Sequence, residues 1–186
     1  MQTKNLNNMK KIIVIISALF IFSAAQSQVF NTGSTLKKGE FSLGIEPLIY
    51  GGANEFMMFF HGGYGLKSGV DLGISAGFLN GQYFGANIEW RLMRYISLTT
   101  GAHYFGDFGL DGTLNLTFPI RKDTRIFTGV DTDINFPKGN NVSMPIWIPI
   151  GVELGLRKNM SFILEGEIAL TNTTNSILGG GIVLYF

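Results

Sequence analysis

Cysteine is absent from this 186-residue chain, which excludes disulfides, thiolate-held metals, a cysteine nucleophile and a lipid-modified N-terminal cysteine. Histidine is scarce, with only His61 and His103. Any acid–base or metal chemistry must therefore pass through one of them or through carboxylates alone. Charged residues make up 15% of the chain, against roughly one-quarter in soluble domains. The formal net charge is +1 and the lysines and arginines are scattered. A chain without a basic field does not draw nucleic acid, which is excluded as a partner. Long apolar runs are also missing, and nothing beyond Phe22 approaches the roughly 20 residues a spanning helix needs. If the mature chain meets a membrane, it must do so through strands.

Hydrophobic residues reach 46%, aromatics 13%, and there are 25 glycines. At the N-terminus, Lys4, Lys10 and Lys11 precede the apolar run Ile12 to Phe22, and Ser23-Ala24-Ala25-Gln26-Ser27 then supplies small residues. This is the layout of a secretory signal peptide, too short in its apolar part to be a transmembrane anchor. Residues 1–27 are read as that signal, with Met1 or Met9 as start and cleavage after Ala25 or Ser27. Residues 28–186 are read as one domain.

That domain alternates with period two. From Val70 to Leu79, Val70, Leu72, Ile74, Ala76 and Phe78 share one face, while Asp71, Gly73, Ser75 and Gly77 share the other. Gln82 to Leu92 repeats the pattern, and Asn80-Gly81 between them is a hairpin signal. Extending the register predicts further strands at Gly39 to Tyr50, Glu55 to Leu66, Tyr95 to Phe105, Leu110 to Phe118, Arg125 to Phe136, Met144 to Arg157, Ser161 to Thr171 and Ser176 to Phe186. The expected fold is all-β, a transmembrane antiparallel up-and-down β-barrel of about ten strands, with eight or twelve also compatible. Pro47, Pro145 and Pro149 belong at strand ends, edges or bulges.

Face composition separates a membrane barrel from a soluble one. Asp71, Glu89, Arg91, Asp111, Arg125, Asp131, Asp133, Glu153, Arg157, Glu165, Glu167 and Glu46 fall on the side that carries most glycines. The other side is Leu, Ile, Val, Phe and Ala. A soluble binding barrel would put its oily side inward, whereas charges with glycines suit a wet, crowded lumen. If the chain enters and leaves on the periplasmic side, Phe41, Tyr64, Trp90, Phe118, Phe162 and Phe186 gather at one rim. Phe56, Phe78, Phe84, Tyr104 and Phe136 then gather at the other, as interfacial girdles require.

The signal peptide, the alternating strands, the short turns at Lys67-Ser68-Gly69, Arg94 and Arg157-Lys158-Asn159, and the ending Gly181-Ile182-Val183-Leu184-Tyr185-Phe186 resemble the small porin-like bacterial outer-membrane β-barrel family. The resemblance spans the whole mature chain. It implies a Gram-negative outer-membrane location, contact with outer-membrane lipid, and insertion by the barrel-assembly machinery with Phe186 as assembly signal. It implies no substrate and no cofactor.

Catalytic constellations are thin. His103 lies on the lumen face near the outer end of its strand, with Asp111, Asp131 and Asp133 at similar height. That Asp/His plus Asp/Asp grouping resembles barrel-embedded outer-membrane proteases, against which stands a merely hydrogen-bonded lumen histidine. Asp111, Asp131 and Asp133 could also draw a divalent cation, although calcium-loop spacing is missing, so no metal is assigned. Asp71, Glu89, Arg91, Arg125, Glu153, Arg157, Glu165 and Glu167 are expected to form a lumen charge network. Gly179-Gly180-Gly181 is followed by no helix, which excludes a phosphate loop and favours close packing. The short outer connections disfavour a large recognition surface.

The expected function is structural or that of a narrow channel for small solutes or ions, cation-preferring because acidic residues dominate the lumen. An embedded hydrolase is the alternative. A band in the membrane fraction whose gel migration shifts on boiling is the expected signature, and detergent-free recovery from the periplasm would reject it.

Overall fold

The computed structural model describes residues 32, 34–51, 55–139 and 141–186; the expected signal peptide lies outside them. Ten strands follow one another: β1 (Phe41–Tyr50), β2 (Glu55–Lys67), β3 (Val70–Leu79), β4 (Tyr83–Met93), β5 (Ile96–Phe105), β6 (Asp107–Pro119), β7 (Thr124–Phe136), β8 (Ile146–Arg157), β9 (Met160–Ala169) and β10 (Ile177–Tyr185). Each pairs antiparallel with its sequence neighbours, and β10 pairs with β1 to close the barrel. Closure leaves no open sheet edge, the condition for placing strands in hydrocarbon.

The polarity is that of a membrane barrel. Among the described residues, fourteen buried side chains are polar or charged and eight are hydrophobic. Outside, Ile45, Ile74, Leu114, Val130, Ile150, Leu164 and Ile182 form a belt at 43–51% exposure. In water such a belt would be a severe aggregation liability; against acyl chains it is the favourable surface. Aromatic rings line both ends, with Phe41 on Tyr64 and Tyr95 on Phe118 at one, and toward the other Phe78 tilted against Phe60 and edge-on to Phe84.

Both chain ends of the barrel lie at the same end, here the terminal end. Three hairpins there are built alike: two-residue turns at Ser68-Gly69, Arg94-Tyr95 and Lys158-Asn159, each preceded by a register shift at Leu66, Leu92 and Leu156. At the opposite end Gly106, with φ of 76°, joins paired Phe105 and Asp107, so β6 starts at Asp107 rather than the expected Leu110. The Asn80-Gly81 reading is corrected in detail. Pairing stops at Gly77 and Tyr83, and positive φ falls on Leu79 and Gly81, so a wider loop replaces a two-residue turn.

Each strand proline opens one ladder only. Glu46 and Pro47 are skipped against β10 but paired with β2; Ile148 and Pro149 are skipped against β7 but paired with β9. A missing N–H can be accommodated on one side when the other ladder holds the strand. Pro145 stands before β8.

The lipid-facing belt yields a test. Leu114, flanked across the ladders by Leu98 and Val130, sits mid-strand on the outer wall. Leu114→Arg is expected to lower stability by about 2–4 kcal/mol, the depth-dependent cost of a cation at the bilayer midplane, measured by denaturant unfolding in lipid vesicles.

Candidate functional site

Lumen-facing positions fall into three levels along each strand. On β4, Arg91, Glu89 and Asn87 descend from the terminal end; on β6 the series is Thr117, Asn115, Thr113, and on β9 it is Ser161, Ile163, Glu165. The first member of each series lines a terminal-end cavity of about 630 Å³, and the last lines a second of about 210 Å³ at the opposite end. The two share no lining residue. Between them lies a sealed waist of Asp71, Glu89, Ser97 and Asn115 on one side and Phe127, Ile163 and Val183 on the other, each no more than 2% exposed.

The chambers carry opposite charge. The terminal-end chamber is lined by seven cationic side chains (Lys37, Arg91, Arg94, Lys122, Arg125, Arg157 and Lys158) against Glu40, Asp123 and Glu153. The opposite chamber is lined by Glu46, Asp111, Asp131, Asp133, Glu165 and Glu167, with no lysine or arginine. The expected charge network is therefore divided. Arg125 Nη1 donates to Glu153 Oε2 at 2.8 Å, and Ser161 and Tyr185 hydroxyls donate to Glu153 Oε1 at 2.8 and 3.3 Å. Arg157 lines the same chamber. Glu165 and Glu167 face the acidic chamber, while Asp71 and Glu89 are locked in the waist. Phe186 pairs its backbone with Phe41 at the terminal rim.

Behind the wall of the acidic chamber, His103 Nδ1 is hydrogen-bonded to the lining residue Asp111, and Nε2 lies 3.0 Å from Asn135 Oδ1. Asp133 joins them, with one ligand atom from each of His103, Asp111 and Asp133 within 4.8 Å of one another. Asp131 instead accepts from Thr113. His61 Nε2 lies 2.8 Å from Glu46 Oε2, a pair that sequence reasoning left unassigned. Between the imidazoles stand Phe59 and Tyr83, giving a row His61, Phe59, Tyr83, His103 with ring centroids 5.7, 5.0 and 5.4 Å apart. Inward parity of Phe59 and Tyr83 was the available signal. Glycines make the row possible: a Cβ on Gly77 would lie 2.8 Å from Phe59 Cζ, and one on Gly109 would run into His103. Gly179, from the triple-glycine run, clears space for Glu46 in the same way.

The terminal mouth is crossed by the segment before β1. Thr117 on β6 donates to the Thr32 carbonyl, Arg91 on β4 donates from Nε and Nη2 to Thr35 Oγ1 at 3.0 and 2.5 Å, and Leu36 N donates to Asp71 Oδ2 at 2.7 Å. Gly39 N then donates to Gly65 O at 2.7 Å on β2. Because β6 stands opposite β1 in the strand order, this strap spans the bore. Within the strap, Leu36 is buried at 5% exposure. The strap carries no periodicity, so its docking was not legible in sequence.

No protein-family model matches the chain, nor does any curated protein sequence. Solved structures do. A de novo designed transmembrane β-barrel is 11% identical with a TM-score of 0.46, covering 82% of this chain and all of its own. The KdgM porin in complex with disordered oligogalacturonate is 11% identical with a TM-score of 0.49, covering 78% of this chain and 99% of its own. The N-terminal barrel domain of Pseudomonas aeruginosa OprF is 15% identical with a TM-score of 0.40, covering 81% and 100%. Identities this low transfer no residue role.

Strap seating depends on Gly65, where an added Cβ would collide with the Lys37 carbonyl. Gly65→Val is expected to dislodge the strap and speed tryptic cleavage at Lys37 and Lys38 by about tenfold, corresponding to ~1.4 kcal/mol of opening. Timed proteolysis of the folded protein checks it.

Proposed function

We propose that the protein is an outer-membrane barrel that acts as a narrow, cation-preferring channel for small solutes and ions, its resting passage restricted by the waist and the strap. The observation that carries this reading is the acidic chamber: six carboxylates and no lysine or arginine line it. With the terminal end on the periplasmic side, that chamber is the outer entrance, and its field concentrates cations there. Insertion through the barrel-assembly machinery with Phe186 as its signal, and export by residues 1–27, belong to the same proposal.

The hydrolase alternative is less well supported. Both ring nitrogens of His103 are engaged, by Asp111 and by Asn135, so neither stands ready to take a proton from a water aimed at a substrate. The exposed position such chemistry needs is also absent, since His103 is 6% exposed.

Reconstituted in planar bilayers, the protein is expected to give small steps with a reversal potential favouring cations under a salt gradient. Combining Asp133→Asn with Glu167→Gln should reduce that preference by about half or more, because the entrance field scales with its fixed charge. Removing residues 32–38 should enlarge the steps. Silence from both the intact and the strap-deleted protein, or anion preference, overturns the channel reading.

A further inference from the structure

The waist contains a second acidic site that the channel reading does not use. Asp71 and Glu89 face each other across the β3–β4 ladder, and both are 0% exposed. Directly opposed residues bring their Cβ atoms to about 5 Å. Leu36 of the strap satisfies Asp71 Oδ2. Asp71 Oδ1 and both Glu89 oxygens have no protein hydrogen-bond partner. The adjoining strands add two more buried polar side chains at the same level: Ser97 Oγ on β5, which stands against Glu89, and Asn115 on β6, where neither polar atom has a partner. Ser97 lies directly opposite Asn115 and one diagonal step from Glu89, which pairs with Thr99.

Charge balance points the same way. Arg91 is the neighbouring cation, and its guanidinium is turned to Thr35. Two buried carboxylates thus face one guanidinium that hydrogen-bonds elsewhere. A buried carboxylate without a partner is costly to a fold, and the cost is relieved by taking up a proton or by coordinating a cation. The donors are all hard oxygens, with no imidazole or thiolate among them. They sit where the waist is sealed from both chambers.

We propose that the waist binds one hard divalent cation, calcium in preference to magnesium, between Asp71 and Glu89 with Ser97 contributing an oxygen. Calcium accepts a dense, irregular set of protein oxygens, whereas magnesium holds to a strict octahedron and keeps several waters of its own. Because Asp71 also holds the strap through Leu36, the ion ties the strap to the barrel wall. The site is independent of whether ions cross the bore.

The test uses the full mature chain folded in detergent and stripped by a chelator. Calcium chloride titration in a calorimeter should show one site per barrel, and thermal unfolding should shift upward with calcium but not with equal magnesium. Glu89→Gln should weaken binding by at least about a hundredfold, the upper range for loss of a group supporting a metal. Ser97→Ala, which removes one oxygen and little volume, should weaken it by about tenfold while folding normally. Asp133→Asn in the acidic chamber should leave it unchanged. Wild-type protein with neither binding heat nor a thermal shift overturns the proposal. So does binding that survives Glu89→Gln and Ser97→Ala but disappears in Asp133→Asn.

Discussion

Hydrocarbon offers a peptide group nothing to hydrogen-bond with, so every N–H and C=O at membrane depth must find its partner within the chain. That constraint closes β10 onto β1 and turns the usual polarity of a protein inside out, with Leu, Ile and Val outward and Ser, Thr, Asp and Glu inward. Ten strands then set a bore about as wide as the side chains that fill it. Inward glycines such as Gly77, Gly109 and Gly151 are where large side chains from across or beside them are allowed to lie. Even Pro47 and Pro149 obey the same constraint, since each gives up one ladder and keeps the other.

Within the bore, charge is segregated by height. Arginines and lysines gather at the terminal end and carboxylates at the opposite end, with a waist between them that is polar on the β3–β6 side and apolar on the β7–β10 side. Partial compensation is found where opposite charges share a chamber, as in Arg125 with Glu153. At the acidic end the carboxylates Glu46 and Asp111 are instead hydrogen-bonded to imidazoles, those of His61 and His103. A dipolar bore of this kind presents an approaching cation with a different field at each of its two ends.

Much of the site was visible in the residues. Asp111, Asp133 and His103 meet because inward parity and short connections leave them nowhere else to go, and alternation alone placed Asp71, Glu89 and Glu153 in the lumen. Asp131 was placed on the right face but bonds to Thr113 instead of joining the histidine. The pairing of His61 with Glu46 depends on register between β1 and β2, which parity does not specify.

What the amino-acid order determined by itself was the period of two, the oily and charged faces it generates, and the places where the chain must turn. Those are local properties, repeated strand after strand, and a closed barrel is the arrangement that satisfies them together. The heights of the charges, the packing of the waist, and the passage of the strap across the mouth were decided only by tertiary structure. They follow from strand stagger and from contacts between residues as far apart as Thr32 and Thr117, and no short-range pattern in a sequence encodes the distance between two points on opposite walls of a barrel.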